Sequence, residues 1–186
     1  MVLPLSSSDP PHLLKPTRKI ISFSRTHSNN SFGRSPSHSC NGLTFVRSKK
    51  PLSDLNAWGI GGPCNYFVQV FDQSQLTTAI RYCREYSLRF MIIGKGSNCL
   101  FDNMGYDGCV ILNWIDFLEK IRSVGYRVGR GYPFNRLGVQ SATEGLSGLE
   151  FASGIPGTVG GAEIADAIDT VEIITSDGEY QILHQR

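Results

Sequence analysis

Two glycine-rich stretches hold the residue types that could cradle an anion. The first is Ile92–Asn98, IIGKGSN, where an apolar run ends in Gly94-x-Gly96-Ser97-Asn98. Glycines there let the backbone approach a ligand without a Cβ clash, and successive N–H groups in such a turn form an anion-binding nest. Ser97 and Asn98 add short polar side chains suited to phosphate oxygens. Lys95 adds a positive charge, unless its side chain simply points to solvent. The second stretch is Ser153–Gly161, SGIPGTVGG, with glycines at 154, 157, 160 and 161 around Pro156. Proline fixes φ where the glycines free it. A bare turn needs fewer glycines than this. Their density is better explained by backbone pressed against a bulky flat group or a diphosphate. For each loop taken alone, a tight turn with nothing bound remains the competing reading. The first is not a Walker A loop, because no G-K-[ST] closes it. It is also not a dinucleotide G-x-G-x-x-G that opens a helix, because the residues after Asn98 read as strand.

The composition limits what else these loops serve. The chain has 186 residues, 40% hydrophobic and 18% charged, the balance of a globular protein with a core. No uninterrupted apolar stretch approaches the roughly 18 residues of a membrane span. The histidines stand at 12, 27, 38 and 184, and the cysteines at 40, 64, 83, 99 and 109 with no C-x-x-C pair. A metal site or a Cys–His nucleophile pair is therefore not expected. The body cysteines read as small buried hydrophobes.

Residues 1–50 are a different kind of polypeptide. They carry eight Lys/Arg against the single acid Asp9, and eleven serines. They lack an apolar h-region. An Arg-rich, Ser-rich, acid-poor leader has the composition of an organelle transit peptide. Serine enrichment points to the chloroplast, with the mitochondrion as alternative. A basic arm for nucleic acid or an anionic membrane is the competing reading. Because the basic residues are spread out and not clustered, no nucleic-acid partner is expected. With few apolar residues to offset its ordering entropy, the leader is expected to be disordered, ending near Lys49–Pro51.

The body alternates elements that would present the loops. Asn65–Phe71 reads as a strand. Asp72 and Ser74 are cap candidates for a helix in which Leu76, Ala79, Ile80 and Cys83 form an apolar stripe. Arg89–Ile93 is a compact strand leading into the first loop, and CLFD (99–102) and GCVIL (108–112) read as two further short strands. A second unit starts near Trp114. GYRVGRG (125–131) is a glycine-bounded strand, a helix is expected between Pro133 and Gly145, and a β-hairpin turns at Ser176-Asp177-Gly178.

Three blocks then stand out in order: PLSDLNAWGIGGPCNYFVQV from Pro51, IIGKGSNCLFDNMGYDGCVI from Ile92, and GLSGLEFASGIPGTVGGA from Gly145. Together they resemble the UDP-N-acetylenolpyruvoylglucosamine reductase family over about Pro51 to Leu183. The resemblance implies an α+β fold, a PCMH-type (vanillyl-alcohol-oxidase-like) FAD-binding domain of two small α/β subdomains, about 51–114 and 115–186. It implies FAD as cofactor, NADPH as electron donor, and reduction of an enolpyruvyl UDP-sugar for peptidoglycan. The cofactor contacts it implies are Gly94, Lys95, Gly96, Ser97 and Asn98, then Gly154, Ile155, Pro156, Gly157, Gly160 and Gly161. Ile60, Gly61 and Gly62 match a further block, with a structural role.

The chain also departs from the family pattern. The family runs from GGA into an MNAGA-like stretch, whereas here GGA passes through EIADAID straight into TVEII. That places Glu163 and Asp166 beside the glycines, where like charge would oppose a diphosphate. The family's catalytic arginine, serine and glutamate lie in later segments, and no residue of 1–186 takes those roles. The expectation is thus a cofactor domain without the substrate domain and with no catalytic residue. The alternative is a catalytically inactive truncated or misspliced remnant, serving at most as a flavin-binding or interaction module.

Overall fold

The computed structural model describes residues 2–4, 39–40, 43–44, 50–121, 125–162 and 164–184. Its strands are β1 (Val2–Pro4), β2 (Ser39–Cys40), β3 (Leu43–Thr44), β4 (Lys50–Pro51), β5 (Pro63–Val70), β6 (Phe90–Ile93), β7 (Tyr106–Asn113), β8 (Leu118–Ile121), β9 (Gly125–Val128), β10 (Thr170–Ile174) and β11 (Tyr180–His184). Among the described residues, two helices, α1 (Gln73–Glu85) and α2 (Phe134–Thr143), and short 3-10 turns join the strands. Of the leader, the described residues are β1 to β3 and Lys50; the rest of the expectation made for it lies outside the described residues.

The first unit is a sheet in the order β4-β5-β7-β6. β5 and β6 both run parallel to β7. The run Cys109–Leu112 of β7 is buried, as a parallel strand covered on both faces requires. Asp72 caps α1 by accepting from Gln75 N at 2.8 Å. The helix therefore starts at Gln73, before the Ser74 alternative. Its stripe Leu76, Ala79, Ile80 and Cys83 is buried against Val68, Val70 and Ile111.

The segment 99–102 is not a strand. Asp102 closes a turn there: its carboxylate accepts from Met104 N at 2.8 Å, and its carbonyl accepts from Gly105 N and Gly62 N, each at 2.9 Å. The side chain's competition for local backbone donors overrides the apolar pattern. Leu100 is left exposed as a result.

The second unit is an antiparallel sheet in the order β11-β10-β1-β9-β8. Phe134 and Leu137 of α2 pack on Tyr126, Val128, Leu149 and Val159. β10 and β11 form the expected hairpin around Asp177. Its turn is also the bolt between the units: Arg84 of α1 pairs with Asp177, and Arg81 Nη2 donates to Gly178 O at 3.1 Å. No helix among the described residues is long and apolar enough to cross a membrane.

Arg127 on β9 ties this sheet together. Its Nε and Nη2 donate to the two carboxylate oxygens of Glu172 on β10 at 2.7 and 2.9 Å, and its Nη1 donates to Glu119 on β8 at 3.2 Å. Hydrogen bonds from Arg127 hold the Glu172 carboxyl down at about 2. A depressed carboxyl contributes stability that is present above its unfolded pKa and lost as pH falls through the folded one. The window here runs from 4.5 down to about 2. Because Arg127 is 34% exposed, solvent screening keeps the pair's contribution to about 1 kcal/mol. Glu172→Gln should lower the melting temperature at neutral pH and flatten the loss of stability across that acid window. Circular dichroism melts against pH would show it, and identical curves for the two proteins would mean the pair contributes nothing.

Candidate functional site

The two glycine loops face each other across a cavity of about 320 Å³. β6 delivers the first loop directly from the parallel sheet. Gly96 turns it with φ +68, and a Cβ there would stand 1.8 Å from Leu55 O. The Gly96 carbonyl accepts from Cys99 N at 3.2 Å and Ala57 N at 3.4 Å, which locks the turn. Among the described residues, the N–H groups of Ser97 and Asn98 make no hydrogen bond inside the fold, and neither does that of Gly157. Such unspent donors at a glycine turn are what an anion nest consists of.

The second loop hangs from the segment before α2. Gly157 O accepts from Phe134 N at 3.1 Å, Val159 N donates to Tyr132 O at 3.0 Å, and Gly160 N donates to Arg130 O at 3.0 Å. Gly157 takes φ +129, which a side chain would disfavour. The loops also meet directly: a Cβ on Gly94 would stand 2.6 Å from Thr158 Oγ1.

The cavity wall holds Gly94, Lys95, Gly96, Ser97 and Asn98 from the first loop, and Ile155, Pro156, Gly157, Gly160 and Gly161 from the second. Gly154 is not on this wall. It closes the 3-10 turn Glu150–Gly154, where Ile155 N donates to Ala152 O at 3.1 Å. Gly62 packs elsewhere, with a built Cβ 2.1 Å from Asn103 O, so its block holds the 101–105 turn and not the cavity.

Sequence reasoning missed Ile92, Ile93, Cys99, Asn113, Arg130, Phe134, Thr158 and Ala162 on the same wall. Thr158 and Ala162 sit within or beside the flagged loop. Arg130 stood between two glycines in GYRVGRG, a usable signal. Asn113 arrives only through β7, where its Oδ1 accepts from Ile115 N at 2.9 Å.

The wall carries two cations, Lys95 and Arg130, and no carboxylate among its described residues. Asp166, expected beside the glycines, is not one of the residues of this wall. Ile164 is buried in the core of the second unit and draws the chain away, so Asp166 sits in the 3-10 turn Ala165–Ala167, off the wall. Glu163 lies outside the described residues. Burial raises the Cys99 thiol, which disfavours a thiolate nucleophile in the cavity. Cys64, Cys83 and Cys109 are buried free thiols. Among the described residues, no group of three or more His, Cys, Asp or Glu is placed to hold a metal.

A family described as "FAD binding domain" matches residues 64–183, well over half of the chain. The chain belongs to this family. Its fold is the PCMH-type FAD-binding domain and its cofactor is FAD. Curated relatives include UDP-N-acetylenolpyruvoylglucosamine reductases of Protochlamydia amoebophila, 43% identical over 69% of this chain and 46% of the relative, and of Chlamydia abortus, 41% identical over 72% and 49%. The chain thus spans about half the length of these relatives. The crystal structure of UDP-N-acetylenolpyruvylglucosamine reductase from Thermus caldophilus is similar to this fold with a TM-score of 0.60, at 29% identity, over 76% of this chain and 53% of that one.

The wall fits such a cofactor. Unspent backbone N–H groups and two cations suit a diphosphate, and Gly161 leaves open space where a Cβ would stand. Gly96→Val should be costly, since an unfavourable φ alone is worth on the order of 1–3 kcal/mol before the clash with Leu55 O. A melt should show a clear loss of stability together with loss of flavin binding. Gly161→Ala is the contrast, with an unchanged melt. A stable Gly96→Val protein that keeps its flavin would contradict this account of the first loop.

Proposed function

We propose that this chain is the cofactor-binding part of an NADPH-dependent UDP-N-acetylenolpyruvoylglucosamine reductase. The observation that carries the reading is the 43% identity to the Protochlamydia enzyme over a stretch whose two glycine loops form the walls of one cavity. The loops' N–H groups, Lys95 and Arg130 would hold the diphosphate of FAD, and Phe134, Ile155 and Ala162 would supply the apolar part of the wall. When bound, FAD would supply the two-electron redox chemistry of an NADPH-dependent reductase. The residues of this chain bind and orient the cofactor and narrow its exposure to water. No residue of 1–186 is assigned to proton delivery.

The test is flavin retention. The full chain is incubated with FAD, desalted and examined by visible absorption. The expected outcome is about one flavin per chain, because the free N–H groups and the two cations of the wall form one site for one diphosphate. Colourless protein would end the reading.

The composition of residues 1–50 supports import into a plastid, with the mitochondrion as the alternative destination. A fluorescent protein carrying this leader should accumulate in plastids of a plant cell. Diffuse cytosolic fluorescence would rule the address out.

A further inference from the structure

We infer that Arg130 is the side chain that recognises the phosphoryl charge of the cofactor, an assignment that rests on the FAD reading above. Arg130 stands between Gly129 and Gly131, just ahead of α2, and lines the cavity. Two reciprocal hydrogen bonds fix it to the second loop: Gly160 N donates to Arg130 O, and Arg130 Nη2 donates to Gly160 O, both at 3.0 Å. A Cβ on Gly160 would stand 2.6 Å from Arg130 Nε, so the glycine makes room for the guanidinium.

Among the described residues, Arg130 pairs with no carboxylate, unlike Arg81, Arg84 and Arg127. A guanidinium has five N–H donors. Gly160 takes one of them, so most of the fork and all of the charge remain for an incoming anion. A planar fork held by backbone carbonyl contact suits phosphate oxygens better than an ammonium on a free stem, which is what Lys95 offers. The ligand chemistry is therefore a phosphoryl group, and in FAD that means the diphosphate and not the ring.

Riboflavin shares the ring and lacks the phosphates, so it separates the two contributions. The full chain, Arg130→Gln and Arg130→Lys are each titrated with FAD and with riboflavin at low and raised potassium chloride, and melted without flavin as a control of fold. For Arg130→Gln, loss of a charge-assisted contact should weaken FAD by about tenfold or more. Riboflavin affinity should stay unchanged, and FAD binding should become less sensitive to salt. Arg130→Lys should keep the salt sensitivity and lose part of the affinity. Equal weakening of FAD and riboflavin would mean that Arg130 only shapes the loop, and the inference would fall. Unchanged FAD affinity would also overturn it. If Arg130→Gln does not fold, Arg130→Lys decides: weaker FAD at unchanged riboflavin supports the assignment, and unaltered FAD affinity defeats it. Absence of flavin binding by the unmodified chain would instead remove the FAD reading itself.

Discussion

Three backbone hydrogen bonds join the 130–134 segment to the 157–160 loop: Gly160 N to Arg130 O, Val159 N to Tyr132 O, and Phe134 N to Gly157 O. The cavity exists because of this seam. Together with Val159 in the core against Phe134 and Leu137, it fixes the second glycine loop on α2. The seam uses main-chain groups, which every non-proline residue carries, so it places the loop without consuming the side chains that face the ligand. It also aligns Arg130 and Thr158 with the wall that β6 presents from the other unit.

The glycines of the two loops serve different physical ends. Gly96 and Gly157 adopt backbone angles that suit glycine, and so turn the chain. Gly94 and Gly160 yield space, the first to Thr158 and the second to Arg130. Gly161 leaves open volume at the wall. The result is a wall that exposes backbone amides beside two cations and carries no described carboxylate, a combination that favours anions. FAD, the cofactor of the family to which this chain belongs, carries a diphosphate of the charge such a surface suits.

The width of the cavity depends on how the two units sit. Arg84 and Arg81 of α1 reach across to Asp177 and Gly178 at the tip of the β10–β11 hairpin. Exposed pairs of this kind contribute little stability one by one. Their effect here is geometric, since they fix a hairpin whose outer strand β11 pairs, among the described residues, with β10 alone. Within the second sheet, the partly buried fork of Arg127 on Glu172 does the same across β1.

Local signals were legible wherever a residue's own chemistry decides its backbone. The stripe of α1, its Asp72 cap, the apolar run of β7, the helix between Pro133 and Gly145, and the Ser176–Gly178 hairpin all follow from short-range pattern. Both glycine loops were visible for the same reason, because dense glycine between strands has few other uses. What sequence alone could not supply was the contacts between distant segments. The 99–102 run looked like a strand until Asp102 turned it against Gly62. Gly154 looked like part of the wall, but it closes the 3-10 turn Glu150–Gly154, and Asp166 looked like a wall residue, but the turn Ala165–Ala167 holds it outside the lining. Arg130, Asn113 and Phe134 joined the site only through the seam and through β7. Periodicity and turn chemistry act over a few residues, so the sequence by itself determined the elements and the two loops. Which side chains share one wall is set by packing between segments as far apart in sequence as Ile92 and Ala162, and only the tertiary structure decided that.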